Sequence, residues 1–376
     1  MESVKKGRAA GSYDLAVVGG GPAGTSAAIT AARSGARVLL VERGRLPRQR
    51  VCGEFVSWES LDLLESLLTN AKPEFLQRAL RIRETRLFVD GRTIAAPVAP
   101  AAASLARWDL DNALWQAALL AGVDARLNTS VESIAGTGPF TLNTSAGQFT
   151  ARALINAAGR WSNLKRNSES GSGSLDHYLG LKGHFAESSP PTSVDLYFFE
   201  GGYCGVQPVQ LATGSEGVGR VNACAMVRAD KARTLPQVFA RHPQLAKRAQ
   251  AWSPLTEAVT TSPLRFGTPA PVQGGLLAAG DAAGFVDPFV GDGISLALRS
   301  GTLAAECLAL FFAGQQRLED ARAEYARCYR TRLLPVFRSS SKLRRLLRLP
   351  PSLRSSLALI LERTPVITRY LVTASR

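Results

Sequence analysis

Three glycines near the start of the chain have the spacing of a phosphate-binding turn. Gly19, Gly21 and Gly24 follow the pattern G-x-G-x-x-G, with Pro22 and Ala23 between the last two. The first glycine of such a turn permits a tight bend, the second lets the backbone approach a pyrophosphate, and the third lets the next helix pack closely on the strand. Proline suits the first helical position, where its missing N–H breaks no hydrogen bond. The free N–H groups and positive dipole end of this helix would bind a pyrophosphate.

A carboxylate downstream of the turn extends this prediction to a dinucleotide. Residues 15–18 and 37–41 predict buried strands on either side of the helix, and Glu42 follows the second. An acid about 20 residues beyond the turn accepts hydrogen bonds from ribose hydroxyls. Glu42 therefore favours FAD or NAD over a cofactor with a 2′-phosphate, without choosing between the two. Arg43 begins a basic connector, residues 43–50, that either steers phosphate or is a solvated loop.

The composition is typical of a packed α/β enzyme in a reducing compartment. Apolar residues make up 45% of the 376 residues, which argues against a disordered chain. The five cysteines are odd in number and widely scattered, so we expect reduced thiols and no zinc site. The three histidines show no metal or catalytic-triad spacing. Because we find neither an apolar secretory segment nor an uninterrupted apolar run of about 18 residues, we expect a cytoplasmic protein.

Basic residues are concentrated at the carboxyl end of the chain. The formal net charge is +15, and much of the excess lies beyond residue 321. Since no nucleic-acid-binding module precedes this region, we expect no nucleic acid partner. Leu343, Leu346 and Leu347 interleave with Arg344 and Arg345. This pattern is found in helices that lie in a membrane interface and equally in a solvated basic face, so peripheral membrane association is one of two expectations.

A second motif carries a resemblance to a known family. The stretch GDAAGFVDPFVGDG at residues 280–293, together with the glycine turn, resembles the FAD-dependent superfamily of p-hydroxybenzoate hydroxylase-type monooxygenases, and within it the geranylgeranyl reductase-like oxidoreductases. The resemblance implies that Asp281 holds ribityl or ribose hydroxyls of FAD and that Pro288 lies beside the isoalloxazine. It implies that Gly291, Gly293 and Ile294 begin a helix whose N–H groups face the N1/O2 edge of the flavin.

The same resemblance assigns three further cofactor contacts. Arg107 would contact an FAD phosphate or the flavin, with a structural salt bridge as the alternative. Val131 lies on the strand whose backbone would meet the adenine. Gly159 ends a second buried strand, but the preceding residue is Ala158 where the hydroxylases have aspartate. That difference puts direct reduction by NADPH in the hydroxylase manner in doubt, so NADH or NADPH is an open electron donor.

Two residues are candidates for the chemistry itself. Cys52 belongs to the sequence VCGEF, which resembles the Cys-Gly motif that the reductase branch places beside the isoalloxazine. A thiol at that position would relay a proton or tune the flavin potential, and the alternative is a cysteine that only packs under the cofactor. Glu54, two residues further on, is the neighbouring candidate proton carrier.

The elements that position these residues predict an α/β fold. A Rossmann-like FAD domain with the G-x-G-x-x-G turn contains an inserted antiparallel β-sheet substrate domain and ends in a helical region. A helix is expected over residues 235–252. We expect a flexible N-terminus at 1–12, the first part of the FAD domain at 13–165 with a β-hairpin insertion at about 81–100, the β-rich substrate domain at 175–265, the second part of the FAD domain at 266–315, and a basic helical region at 316–376.

The favoured function is an FAD-dependent oxidoreductase acting on a lipophilic small molecule, isoprenoid or polyketide-like, in the manner of geranylgeranyl reductases. One alternative is a flavin monooxygenase that hydroxylates an aromatic or polyketide substrate. Another is an electron-transfer flavoprotein that docks on membranes. The Trp-x-Trp-x-Ile-Pro signature of flavin halogenases is absent from the sequence, which argues against halogenation.

Overall fold

The structure is a computed structural model of the chain, and it describes residues 11–69, 71, 74–161, 177–210, 219–264, 266–286 and 291–338. The strands are β1 (Ser12–Val18), β2 (Val38–Val41), β3 (Phe55–Val56), β4 (Leu80–Val89), β5 (Arg92–Ser104), β6 (Asp124–Arg126), β7 (Val131–Ala135), β8 (Phe140–Thr144), β9 (Gly147–Asn156), β10 (Tyr178–Ala186), β11 (Ser193–Phe199), β12 (Gly202–Pro208), β13 (Arg220–Arg228), β14 (Ser253–Pro254), β15 (Val259–Leu264), β16 (Val272–Gln273) and β17 (Leu276–Ala278). The helices are α1 (Pro22–Arg33), α2 (Leu61–Leu68), α3 (Glu74–Gln77), α4 (Arg107–Leu120), α5 (Leu235–Phe239), α6 (Pro243–Ala249), α7 (Gly293–Phe312) and α8 (Leu318–Arg332).

The first sheet brings the ends of five parallel strands to one edge. Its order is β16-β17-β9-β1-β2-β6, and β8 and β7 continue from β9 as an antiparallel extension. The register places Val18 beside Val41 on one side and beside Asn156 on the other, while Asn156 also lies beside Ala278. Ligands of open α/β sheets bind at the carboxyl ends of the strands. The turn at Gly19, the turn at Gly159 and the turn at Gly280 therefore meet at the expected edge.

The second sheet has nine strands, of which eight follow the order β14-β10-β13-β12-β11-β4-β5-β3, while β15 also pairs with β10. All its pairs are antiparallel except β11 with β4, which is parallel. The β4–β5 hairpin, expected as an insertion of the first part of the chain, thus contributes strands to the substrate-domain sheet. Its pairing partner begins at Ser193, more than a hundred residues later, so local pattern could not reveal it.

Residues 235–252, expected as one helix, form the two short helices α5 and α6. Pro243 is the first residue of α6, and His242 before it has extended backbone angles, φ −131° and ψ 120°. A residue preceding proline is disfavoured in the helical region because its backbone clashes with the proline ring. The proline therefore ends one helix and begins another.

Helix α7 is long and apolar enough to cross a membrane by length and composition alone. Of its most apolar window, 61% is buried inside the fold. It packs against α1 and α8. Its apolar character is thus accounted for by its place in the core of the described chain.

Candidate functional site

A cavity of about 600 Å³ lies at the carboxyl ends of the first sheet. Among the residues singled out from the sequence, it is lined by Gly19, Gly21, Pro22, Ala23, Glu42, Arg43, Cys52, Glu54, Arg107, Val131, Gly159, Asp281, Gly291, Gly293 and Ile294. These residues come from segments spread over more than 270 positions of the chain. Gly24 lies behind the turn, and Pro288 lies outside the described residues. The fold therefore gathers the predicted positions around one space.

The glycines of the turn differ in what surrounds them. A Cβ atom on Gly19 would lie 2.3 Å from the Ala157 carbonyl oxygen, and one on Gly24 would lie 1.8 Å from the carbonyl oxygen of Gly19. These two glycines are required by the packing of backbone on backbone. By contrast, a Cβ on Gly21 would approach nothing nearer than Nη2 of Arg107, at 3.9 Å, and one on Gly293 would meet nothing within 4 Å. The open space at Gly21 and Gly293 is on the side of the cavity.

Glu42 is buried at the end of β2 and closely bonded there. Its carboxylate accepts hydrogen bonds from the backbone N–H of Gly20 (2.9 Å) and of Gly44 (3.0 Å) and from Nη2 of Arg48 (2.7 Å). Burial alone would raise the pKa of Glu42, but these N–H groups and the guanidinium bring the pKa below its ordinary value. Glu42 is therefore an ionised acceptor at the edge of the cavity.

The connector after Glu42 places arginines inside the cavity rather than in solvent. Arg48 and Arg50 both line it, and the Nε atoms of both are buried with no hydrogen-bond partner among the described residues. Burial, and then the positive charges of Arg48 and Arg107, lowers the pKa of Arg50 to about 10. A buried guanidinium that has an N–H group without an acceptor, and that lies among other cations, favours the binding of an anionic ligand.

Arg107 begins helix α4 and is fixed by its own helix. Its Nε and Nη2 atoms each lie 2.8 Å from an oxygen of the buried Asp111 carboxylate. Asp111 is thus the partner in the structural salt bridge that was the alternative for Arg107, at the i, i+4 spacing at which helical side chains meet. Although burial lowers the pKa of Arg107, Asp111 raises it above its ordinary value. Arg107 can therefore contact the cofactor and form a structural salt bridge at the same time, since it lines the cavity while it is bonded to Asp111.

Asp281 lines the cavity from the 3-10 turn after β17. Nε of Arg160 is 3.5 Å from its carboxylate, and that guanidinium also stacks 4.3 Å above the ring centre of Phe285. Burial raises the pKa of Asp281, and Arg160 opposes the change. The basic residue of the Ala158-Gly159-Arg160 segment thus faces the acid that the resemblance assigns to the cofactor.

Cys52 lines the cavity, and its sulfur accepts a hydrogen bond of 3.3 Å from the backbone N–H of Glu54. Burial raises the pKa of the Cys52 thiol, against the positive charge of Arg107. At neutral pH the sulfur consequently holds its proton. A thiol in this state can donate a proton and is a poor nucleophile.

The Glu54 carboxylate points away from solvent into the second sheet. It accepts hydrogen bonds from Nζ of Lys182 (2.6 Å) and from the backbone N–H of Arg107 (2.8 Å), and its second oxygen lies 2.8 Å from Nε2 of His184. Burial would raise the pKa of Glu54, but Lys182 and His184 bring the pKa below its ordinary value. Glu54 is ionised at neutral pH, so the geometry favours a holding role over the predicted role of proton carrier.

One face of the second sheet is polar at one end of strand β10 and apolar at the other. Side chains two residues apart on a strand share a face, and Lys182 and His184 of β10 share theirs with Tyr178 at the other end. Around Tyr178 lies an apolar cluster that reaches the cavity through Phe285. Its members are Leu87, Tyr178, Val194, Leu196, Phe198, Tyr203, Met226, Leu264, Phe266 and Phe285. Several of these side chains are only partly buried, and Phe285 joins the cluster to the cavity lining.

Comparison with known proteins decides which cofactor this architecture serves. The family model described as the FAD binding domain matches residues 12–331. The chain belongs to this FAD-binding family. The resemblance drawn from the two glycine motifs is thereby confirmed, and the protein is an FAD-dependent oxidoreductase.

The curated relatives include proteins named as reductases. Menaquinone reductase of Mycolicibacterium smegmatis is 27% identical over 318 residues, which cover 78% of this chain and 76% of that protein. Digeranylgeranylglycerophospholipid reductase of Thermoplasma volcanium is 27% identical over 325 residues, covering 78% and 77%. Conditioned medium factor receptor 1 of Dictyostelium discoideum is 26% identical over 353 residues, covering 81% of this chain, which spans only 64% of that protein.

Solved structures share the fold over nearly the whole chain. The flavin-dependent brominase Bmp2 aligns with a TM-score of 0.78 and 18% identity, covering 97% of this chain and 93% of its own. A geranylgeranyl bacteriochlorophyll reductase-like protein of Thermoplasma acidophilum aligns with a TM-score of 0.74 and 20% identity, covering 97% and 95%. These likenesses confirm the predicted fold class, an FAD-binding α/β fold.

The residues around the cavity fit FAD. The partnerless donors of Arg48 and Arg50 and the open face of Gly21 suit a diphosphate, and Glu42 lies at the strand end where ribose hydroxyls are bound. The N-terminus of α7, at Gly293, opens onto the same space and suits the electron-rich edge of a flavin. Within the described residues no cluster of acids, histidines and cysteines could hold a metal ion.

Sequence reasoning missed five side chains of this site. Arg48 and Arg50 belong to a connector whose sequence is equally compatible with a solvated loop, and the sequence gives no sign that Arg160 faces Asp281. The signal for Lys182 and His184 was present, because two polar residues at i and i+2 interrupt an otherwise apolar strand on one face. A buried cation on a strand implies a buried acid elsewhere in the chain, and Glu54 is that acid.

Proposed function

We propose that the enzyme transfers reducing equivalents between FAD and a lipophilic small molecule, isoprenoid or polyketide-like, in the manner of geranylgeranyl reductases. The observation that carries this proposal is the apolar cluster that adjoins the FAD cavity at Phe285. Aromatic and aliphatic side chains arranged in this way bind apolar ligands through the area they bury. The names of the two reductases above, which specify isoprenoid lipids as substrates, support the same class.

Bound FAD supplies hydride transfer, and the side chains of this chain divide the remaining tasks. Glu42 would accept hydrogen bonds from the ribose hydroxyls, Arg48 and Arg50 would neutralise the diphosphate, and Asp281 would accept hydrogen bonds from ribityl hydroxyls. The N-terminus of α7 would stabilise negative charge at the edge of the flavin. The apolar cluster orients the substrate and excludes water. The Cys52 sulfur holds the proton that a reduced substrate atom requires.

An anaerobic half-reaction tests this proposal. The purified protein, photoreduced without oxygen, is mixed with short-chain menaquinone or with a geranylgeranyl lipid, and the flavin absorbance is followed. We expect the oxidised flavin spectrum to return upon addition of one of these acceptors. If the spectrum returns only when oxygen is admitted, with one oxygen consumed per hydroxylated substrate, the enzyme is a monooxygenase instead. If only a protein acceptor restores it, the electron-transfer alternative holds. Supplying NADH or NADPH to the oxidised protein identifies the electron donor in the same apparatus.

Replacement of Cys52 by alanine tests the proton donor. We expect Cys52→Ala to slow reoxidation by the lipid acceptor by about 100-fold, the lower end of what a positioned acid contributes, with unchanged FAD affinity. The matched control is Cys307→Ala on α7, whose thiol is also half-buried but does not line the cavity. Equal reoxidation rates for both variants and the wild type would show that Cys52 only packs in the cavity wall and donates no proton.

We further propose that the basic carboxyl-terminal region docks the enzyme on anionic membranes, which would bring the site to a substrate dissolved in the bilayer. Residues 339–376 lie outside the described part of the chain, and the proposal rests on their sequence. Each basic residue near an anionic surface contributes about 1 kcal/mol, so Arg344→Glu with Arg345→Glu should weaken liposome binding by roughly 30-fold or more. Co-sedimentation with anionic and neutral liposomes measures this. Arg81→Glu with Arg83→Glu, two exposed arginines of β4, is the control, and equal binding by both double variants contradicts the proposal.

A further inference from the structure

Glu54 has a backbone conformation that its residue type disfavours. Its φ is 61°, in the left-handed region that side chains other than glycine seldom adopt. Such conformations persist where the surroundings over-determine them, and they concentrate at functional sites. Glu54 makes hydrogen bonds at every polar group it has. Its N–H donates to the Cys52 sulfur, its C=O accepts from the N–H of Leu105 (2.9 Å), and its carboxylate has three partners.

The partners of that carboxylate belong to the substrate-domain sheet. Glu54, Lys182 and His184 are 0%, 1% and 0% exposed, and Lys182 has a second acceptor in Oε1 of Gln49 (2.9 Å). From the neighbouring strand β13, Nδ2 of Asn222 donates to the Cys52 carbonyl oxygen (3.0 Å). Two strands of the second sheet therefore anchor the segment 52–54, which otherwise belongs to the wall of the FAD cavity.

The segment so anchored exposes its other side to the cavity. Cys52 and Gly53 both line it, and a Cβ on Gly53 would meet nothing within 4 Å. The groups that face the carboxylate are the Lys182 and His184 side chains from β10 and the backbone N–H of Arg107 from α4, while the thiols of Cys52 and Cys224 lie nearby. A buried ion pair is by itself weak evidence for stability, since an apolar pair of the same size often serves as well. An apolar pair would not fix the side chain at position 54 by hydrogen bonds. The ionic pair does so, and the backbone N–H of Glu54 in turn holds the Cys52 sulfur.

We propose that Lys182 and His184 are positioning residues for the reaction, which fix the Glu54 carboxylate and thereby hold the Cys52 thiol against the FAD cavity. The two side chains do not touch the cavity themselves. They act through Glu54, whose N–H holds the sulfur, and they couple the place of that sulfur to the sheet that carries the substrate wall. This role builds on the proposed function of Cys52, and it has a readout that does not depend on the substrate.

The test measures the accessibility of Cys52 in the protein without FAD. Alkylation of Cys52 by iodoacetamide, followed by mass spectrometry, gives its rate site by site. In Glu54→Gln with Lys182→Met, a change that removes both charges together, we expect Cys52 to be alkylated about tenfold faster because the left-handed segment is released. We expect the melting temperature to stay near that of the wild type, since the pair is removed as a unit. Lys182→Arg keeps a donor and a positive charge, so its alkylation rate should lie closer to that of the wild type than to that of the double variant.

Two further variants keep the proposal falsifiable. His184→Gln retains a donor without the ring and should give an intermediate alkylation rate, and it serves if the double variant does not fold. His242→Gln changes a histidine buried on the opposite face of the same sheet, against Tyr197, and should leave Cys52 unchanged. A lower melting temperature with an unchanged alkylation rate would make Lys182 and His184 structural only. If the variants speed alkylation but no lipid acceptor reoxidises the wild type, the positioning stands and the proposed substrate class fails.

Discussion

Replacement of Gly21 by valine is expected to abolish FAD binding and leave the protein folded. A Cβ at this position meets no protein atom nearer than 3.9 Å, and the backbone there is not in the left-handed region. The isopropyl group would therefore fit the protein but fill the space into which the backbone admits a pyrophosphate. We expect the dissociation constant for FAD to rise at least about 100-fold, which corresponds to roughly 2.7 kcal/mol. Titration of the apoprotein with FAD, followed by flavin fluorescence, measures the change.

The control for this variant is Gly267→Val. Gly267 also has nothing within 4 Å of its Cβ position and no left-handed backbone, but it does not line the cavity. Both variants should melt at the same temperature without FAD, and only Gly267→Val should gain stability when FAD is added. If Gly21→Val binds FAD like the wild type, the pyrophosphate does not lie over this turn. If it melts far below the control, Gly21 belongs with Gly19 and Gly24 as a packing residue.

The sequence predicted the first sheet well because its signals are local. Three of the strands that reach the cavity end in a buried run with a glycine soon after it, at Gly19, Gly159 and Gly280, and a parallel sheet brings such ends to one edge. The helix whose start the second motif marks at Gly293 is α7, which runs to Phe312. By local pattern, residues 148–153 continue the preceding hairpins and residues 154–159 form a separate buried strand that ends in a glycine turn, but the structure joins Gly147–Asn156 in the single strand β9. A long strand whose first half carries exposed side chains has two different local patterns.

What the sequence could not show are contacts between segments far apart in the chain. Glu54 and Lys182 are 128 positions apart, and nothing near Glu54 indicates that its carboxylate is fully buried. In the sequence VCGEF, Glu54 is an acid close to a cysteine, a pattern that suggests proton transfer. Only the fold shows that a lysine and a histidine hold it ionised. The same holds for Arg50, whose burial depends on how the connector folds over the cavity rather than on its own composition.

Helix packing behind the cavity depends on a glycine that no motif marks. Gly301 lies in the middle of α7, where it contacts α1. A Cβ there would lie 2.0 Å from the Ala23 carbonyl oxygen and 2.3 Å from Oγ of Ser26. The same serine hydroxyl donates to the Leu298 carbonyl oxygen (3.1 Å), so the two helices are in backbone contact. Because α1 begins at the glycine turn and α7 begins at the flavin edge of the cavity, this crossing fixes the distance between two parts of the cofactor site.

The expected effect of Gly301→Ala on the free energy of unfolding has opposite signs for a glycine in free space and for a glycine in close helix contact. For a glycine in a helix with free space around it, alanine stabilises the protein by about 1 kcal/mol through helix propensity alone. With backbone and hydroxyl oxygens at 2.0 and 2.3 Å from the new atom, the helices must separate, and overpacking of this kind costs about 1–3 kcal/mol. We therefore expect Gly301→Ala to lower the urea midpoint and to weaken FAD binding as well. The exposed Glu306→Ala on the same helix should change stability by no more than about 0.5 kcal/mol. A Gly301→Ala protein more stable than the wild type would show that α1 and α7 do not approach this closely, and the cavity between their N-termini would then be wider than the structure has it.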